Sequence, residues 1–289
     1  MSRQLLGFKV ACSISTVAGS SGTSGYPLKK PELERPPRLL CLHGYGQTGD
    51  RFREKTGSMR KALKQVQADL VYVDAPFPTD EPRKDAFPSG LSDGYSWWQD
   101  AAAARKVPPS AYHGFDASLR MLQGVLEREG PFDGVLGFSQ GAMVAALLAA
   151  LTAPKVNEKG APAGWDAGGS HPPLFALVFA GFIPYARDLE AYFDGVGQGG
   201  GSQARTLHVI GEKDRIIVPE RSLRLAGCFH EPRKLMHPKG HLVPSGAEVR
   251  REIVDFIVSE MEAGAEREMA EARARFLAAR VLQEAGGAE

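Results

Sequence analysis

Apolar residues in this chain occur in two rhythms. One is a set of short, nearly unbroken blocks: Arg38-Leu39-Leu40-Cys41-Leu42-His43, Asp69-Leu70-Val71-Tyr72-Val73-Asp74, Phe132 to Phe138, Leu174 to Ala180 and Thr206 to Ile210, with a shorter, more polar strand predicted at Lys234 to His237. A strand with apolar residues at successive positions must be covered on both sides. The other rhythm is helical. Phe52, Met59, Leu63 and Val66 fall on one side of a helix over Thr48 to Val66. Helices are also predicted from Tyr112 to Arg128, through Met143, Leu147 and Leu151, near 219 to 227, and from about Gly246 into the tail. Strands alternating with helices predict an α/β class with a mostly parallel sheet and helices on both faces.

The blocks are bounded by turn formers. Gly44 and Gly46 stop the first strand, and Pro76 and Pro78 stop the second. Residues 75 to 111 read as a long irregular segment, of the kind that is functional or disordered inside a compact domain. A Gly/Pro-rich insertion covers about 152 to 173, and a Gly-rich loop covers 195 to 202. The expected organisation is a flexible extension over 1–37, a catalytic domain over 38–262 and a charged helical tail over 263–289. Its Ala, Glu and Arg content makes that tail either a solvated helix or a partner-binding one.

Composition narrows the function classes. Thirty-five basic and 34 acidic residues give a formal charge of +1, so no excess of positive charge points to nucleic acid. Cys12, Cys41 and Cys228 lack the spacing of a zinc cluster or a disulfide framework and read as reduced thiols. No apolar run approaches the roughly 20 residues of a membrane span. The first 31 residues carry Arg3, Lys9, Lys29 and Lys30 and are rich in Ser, Thr and Gly, without an apolar signal core. The expected location is cytoplasmic, or a mitochondrion or chloroplast if this segment is a transit peptide.

The chemistry begins at Gly137-Phe138-Ser139-Gln140-Gly141. Alone, GxSxG is a common pentapeptide. Here an apolar strand runs into it and an Ala/Leu-rich helix runs out, the setting that lifts a serine hydroxyl above a sheet edge. A serine needs a base to take its proton. His241, in His237-Pro238-Lys239-Gly240-His241-Leu242-Val243-Pro244, follows a predicted strand, and Gly240 permits the turn that would aim it back; His237 is its local rival. His208 lies within a strand pattern and reads as core. The orienting acid is placed at Asp214, after strand Thr206 to Ile210, with Glu212 as its rival. The order Ser139, Asp214, His241 is that of α/β hydrolases, each residue following a different strand at its C-terminal end.

Two amides are needed for the oxyanion. That of Gln140 directly follows the nucleophile, and the loop His43-Gly44-Tyr45-Gly46-Gln47 after the first strand offers that of Tyr45. His43-Gly44 also reads as a simple turn. Trp97, Trp98, Tyr95 and Phe87 either wall an apolar substrate pocket or fill the core, and Phe182, past a strand end, is a further candidate for the wall.

Taken together, these pieces resemble the FSH-type serine hydrolases, a subgroup of the α/β hydrolases. The shared stretches are Leu42 to Gln47, Tyr72-Val73-Asp74-Ala75-Pro76, Trp97-Trp98, Pro131 to Ala142, Ala180-Gly181-Phe182, Gly211-Glu212-Lys213-Asp214 and His237 to Pro244, in one order over about 38 to 260. The resemblance implies an α/β-hydrolase fold and hydrolysis of carboxylic esters or thioesters of an acyl chain. It implies a small-molecule substrate and no metal or organic cofactor. The alternative is a hydrolase-like scaffold that only binds a ligand or protein.

Overall fold

A computed structural model describes residues 33–79, 94–99, 112–151, 162, 165, 175–193 and 205–286. The expectations for 1–32, for Phe87 and most of 75–111, for most of 152–173 and for the loop 195–202 therefore lie outside the described residues.

Six strands make the main sheet: β1 (Arg38–Leu42), β2 (Asp69–Val73), β5 (Gly134–Phe138), β6 (Phe175–Phe179), β7 (Arg205–Gly211) and β8 (Arg233–His237), in spatial order β2-β1-β5-β6-β7-β8. Every pairing in it is parallel. β5 and β6 are buried at every residue, as their unbroken apolar runs require. The chain order reverses at β1, between β2 and β5. Ligands of open α/β sheets bind at such a switch point, beyond the C-terminal strand ends.

Besides α3 (Phe115–Glu129) and the four-residue α5 (Arg187–Glu190), helices cover both faces of the sheet. α4 (Gln140–Ala150) packs on β1, β5 and β6, and is buried along its whole length. α6 (Pro219–Ala226) packs on β7. On the other face, α2 (Gly57–Leu63) meets the long C-terminal helix α7 (Ala247–Gly286). Strand parity in β6 separates the two layers. Phe175 meets Phe256 of α7 edge-on at 5.8 Å, whereas Val178 lies with Leu225 of α6 and Ala142 of α4 around Gly181. Burial of each such large apolar side chain contributes on the order of 1.5–3 kcal/mol. The outer part of α7 leaves the core: residues 266–270 and 272–278 are exposed.

Three elements differ from the sequence expectation. The helix predicted over 48–66 is split into α1 (Gly49–Lys55), α2 and a 3-10 turn at Lys64–Val66. At the break, the Thr56 hydroxyl bonds the carbonyls of Phe52 and Arg53 and the Tyr72 hydroxyl, competing with the backbone ladder. Phe52, Met59, Leu63 and Val66 are nevertheless all buried. Within 75–111, β3 (Phe77–Pro78) and β4 (Tyr95–Ser96) form a small antiparallel ribbon, too short to leave a periodic signal. Finally, β5 starts at Gly134 rather than 132. Ahead of it, the Asp133 carboxylate takes both nitrogens of Arg35 (2.9 and 2.5 Å) and the Arg38 amide (2.7 Å).

Candidate active site

The loops leaving β5, β7 and β8 meet at one edge of the sheet. Ser139 follows β5 in a backbone conformation that L-residues seldom adopt, φ 55° and ψ −113°. Its amide donates to the Phe179 carbonyl at 2.9 Å, and its own carbonyl accepts from Ala142 and Met143. The flanking glycines are sterically required. A Cβ on Gly137 would lie 2.1 Å from the Gly141 carbonyl oxygen, and one on Gly141 would lie 2.2 Å from that of Leu42.

His241 Nε2 is 3.1 Å from Ser139 Oγ, and His241 Nδ1 is 2.7 Å from Asp214 Oδ2. The other carboxylate oxygen of Asp214 accepts from the amides of Ile216 and Ile217, each at 2.9 Å. Burial pushes the Asp214 carboxyl upward. The hydrogen bond and charge of His241 and these two amides outweigh it, so the net shift is downward. An ionised Asp214 holds the proton on Nδ1, leaving Nε2 to accept from the serine hydroxyl. Phe138 lies against the imidazole, with ring centroids 4.8 Å apart. Two loop bonds join the turns that carry acid and base: Glu212 amide to His237 carbonyl (2.9 Å) and Lys213 amide to Lys239 carbonyl (3.1 Å). Neither rival occupies this arrangement. His237 ends β8 as a buried residue, and Glu212 is exposed. His208 is buried within β7, as a core residue.

The loop after β1 is fastened at several points. His43 is fully buried, and its Nε2 accepts from the Ala75 amide at 3.0 Å. Its proton therefore sits on Nδ1 and is donated to the Gly44 carbonyl at 2.8 Å. Burial lowers the His43 pKa against the opposing effects of the Gly44 carbonyl and the Asp74 charge, keeping the ring neutral. The Gln47 amide also donates to the Gly44 carbonyl, at 3.3 Å. Because the peptide unit is planar, pinning that carbonyl sets the direction of the Tyr45 N–H. The Gln140 amide opens α4, a position where no intrahelical acceptor exists.

Sequence reasoning did not foresee the part played by Trp97. Its indole N–H donates to the His43 carbonyl (2.8 Å), its amide donates to Gln140 Oε1 (3.2 Å), and its carbonyl accepts from the Ser118 hydroxyl (2.5 Å). One residue thus joins the loop after β1 to the residue after the serine. Trp97 is fully buried and Trp98 nearly so, the latter stacked on Tyr112 at 4.2 Å. Their burial is that of core side chains. Tyr95 is half-buried and engages the β1 loop through its backbone. Phe182 is buried beneath Arg221. Ile216 and Val218, just past Asp214, and Leu242, next to His241, are exposed apolar residues. The spacing that places them there is visible in the sequence only once the loops carrying Asp214 and His241 are known.

Among the described residues, no helix is long and apolar enough to cross a membrane.

A family profile described as "Serine hydrolase (FSH1)" matches residues 33–253. The chain is 33% identical over 235 residues to the protein named Esterase OVCA2 of Danio rerio, covering 77% of this chain and 96% of that one. It is 34% identical over 244 residues to its Homo sapiens counterpart, with 78% and 96% covered. Among solved structures, the fold is similar to acyl-protein thioesterase 2 of Zea mays, with a TM-score of 0.51 at 19% identity over 81% of this chain and 97% of that one. It is also similar to esterase PE8, with a TM-score of 0.50 at 20% identity over 77% and 92%. At such identities the likeness to these two structures is one of fold.

Proposed function

The chain belongs to the FSH1 family of serine hydrolases, and from that premise we propose that it cleaves acyl esters or thioesters through an acyl-enzyme formed on Ser139. The observation that carries the reading is the single imidazole of His241, within hydrogen-bond reach of both the Ser139 hydroxyl and the Asp214 carboxylate.

In this mechanism Ser139 Oγ attacks the carbonyl carbon while His241 Nε2 takes its proton. Asp214 keeps the imidazole in the required tautomer and stabilises the imidazolium. The amides of Tyr45 and Gln140 receive the developing oxyanion, and the loss of one such donor typically costs about 3 kcal/mol of barrier. His241 then protonates the departing alkoxide or thiolate. In the second half it deprotonates a water, which attacks the acyl-enzyme and releases the acid. The apolar side chains of Ile216, Val218 and Leu242 offer contact area to an acyl chain beside the reacting groups.

Fluorophosphonate labelling of wild type against Ser139→Ala tests the nucleophile, with equal labelling of the two removing the assignment. A series of p-nitrophenyl esters and matching acyl thioesters of increasing chain length then reads substrate class. Activity that does not change with chain length would remove the acyl-contact role.

A further inference from the structure

Several arginines of this fold are paired with carboxylates. Arg35 meets Asp133, Arg38 meets Asp69, Arg120 meets Asp116, Arg205 meets Glu231, and Arg224 meets Glu190. Arg221, one turn before Arg224 on α6, is different. Among the described residues its guanidinium contacts no carboxylate, and its Nη2 is buried without a hydrogen-bond acceptor. Its electrostatic neighbours are two phenols, those of Tyr185 and Tyr112, and burial lowers its pKa. A half-buried cation without an anion sacrifices hydration for no ion pair, an arrangement that is costly in the free protein.

The cation is also held in place. Its Cζ lies 4.7 Å from the centroid of the Phe182 ring and 4.6 Å from that of Tyr185. Stacking of this kind restrains the plane of the guanidinium, a group whose planar donor set matches the shape of a carboxylate or phosphate. The Tyr185 amide donates to the Tyr112 hydroxyl at 3.1 Å, and Tyr112 stacks on Trp98. The rings that hold Arg221 are therefore tied to the Trp97 segment.

Its location is the edge that carries Ser139. Phe182 and Tyr185 lie in the loop leaving β6, the strand whose last residue, Phe179, accepts the Ser139 amide. The adjacent Ser222 hydroxyl fastens α6 to the same loop through the Gly181 carbonyl at 2.7 Å. α6 itself begins just past the Ile216 and Ile217 amides that hold Asp214.

We propose that Arg221, clasped between Phe182 and Tyr185, is an anion-binding subsite that takes an oxyanionic group carried by the substrate, either a carboxylate on the acyl portion or a phosphate on the leaving group. This inference rests on Ser139 being the nucleophile. It assigns a substrate class, acyl esters or thioesters bearing a remote negative charge.

Two substrate pairs test it. One compares a p-nitrophenyl ester whose acyl chain ends in a carboxylate with the methyl-ended ester of equal length. The other compares an acyl-CoA with the same acyl group on N-acetylcysteamine. The readout is the ratio of kcat/KM, charged over neutral, in wild type, Arg221→Met and Arg221→Lys. Arg221→Met lowers the ratio by about tenfold or more, the size expected of a lost charge-assisted hydrogen bond, and Arg221→Lys restores part of it. The pair that responds identifies the source of the anion. Ratios unchanged in both pairs overturn the subsite. Fluorophosphonate labelling of the same wild-type preparation separates the two claims: failure to label Ser139 sinks the nucleophile, whereas intact labelling with unchanged ratios sinks the subsite alone.

Discussion

The Trp97 amide donates to the side-chain oxygen of Gln140 at 3.2 Å, and the Trp97 indole holds the carbonyl of His43. Gln140 and the loop after His43 contribute the two amides assigned to the oxyanion, so Trp97 sets their separation. Electrostatic stabilisation of this type depends on donors fixed before the reaction. Trp97→Phe keeps most of the ring volume and removes the indole donor. It is expected to lower kcat by about tenfold with little change in KM, because the interaction at stake is made to the transition state. A rise in KM at constant kcat would show that Trp97 shapes ground-state binding instead.

Asp214 accepts one imidazole nitrogen and two backbone amides. Asp214→Asn retains its size and removes the charge that selects the tautomer of His241. A fall in kcat of roughly 10³- to 10⁴-fold is expected, with the thermal melt still cooperative. Activity within tenfold of wild type would reassign the orienting acid, with Glu212 examined next.

Ser139 holds φ 55° although it carries a Cβ. Strain of this kind costs on the order of 1–3 kcal/mol and persists because the surrounding turn imposes it. Ser139→Gly is therefore expected to abolish ester hydrolysis while raising the unfolding free energy by about 1 kcal/mol, after allowance for the greater freedom of glycine in the unfolded chain. Equilibrium denaturation in urea measures this. A variant less stable than wild type would show that the turn carries no such strain.

Much of this architecture was legible in the sequence because it depends on local signals. Solid apolar blocks gave away the central strands. The glycines around Ser139 and the strand-end positions of Asp214 and His241 marked the loops that converge. The Thr56 break was not legible, since it depends on a hydroxyl meeting Tyr72 across the layer. Nor was the role of Trp97, whose partners His43, Ser118 and Gln140 lie 54, 21 and 43 residues away. The guanidinium of Arg221, without a carboxylate partner among the described residues, was equally hidden. Periodicity shows which face a residue occupies, but not whether an acid stands opposite it.

His208 lies in the middle of β7, fully buried, with Nε2 3.1 Å from the Thr206 hydroxyl and Nδ1 without a partner among the described residues. Burial, reinforced by the charge of Lys234, lowers its pKa from 6.5 to about 3. A histidine whose folded pKa is depressed stays neutral in the native state while the unfolded chain takes up a proton. Stability is then intact above pH 6.5 and declines as the pH falls from there toward about 3. Within that window this one group contributes a slope of up to about 1.4 kcal/mol per pH unit. His208→Leu fills a similar volume without a titrating group, so its unfolding free energy should fall less steeply between pH 6.5 and 4.5 than that of wild type. His43 and His237, also depressed by burial, remain in both proteins, and the difference between the two slopes therefore isolates His208. Parallel slopes in urea denaturation series across this range would mean that the ring is protonated in the folded state, and that β7 admits water or an anion at its centre.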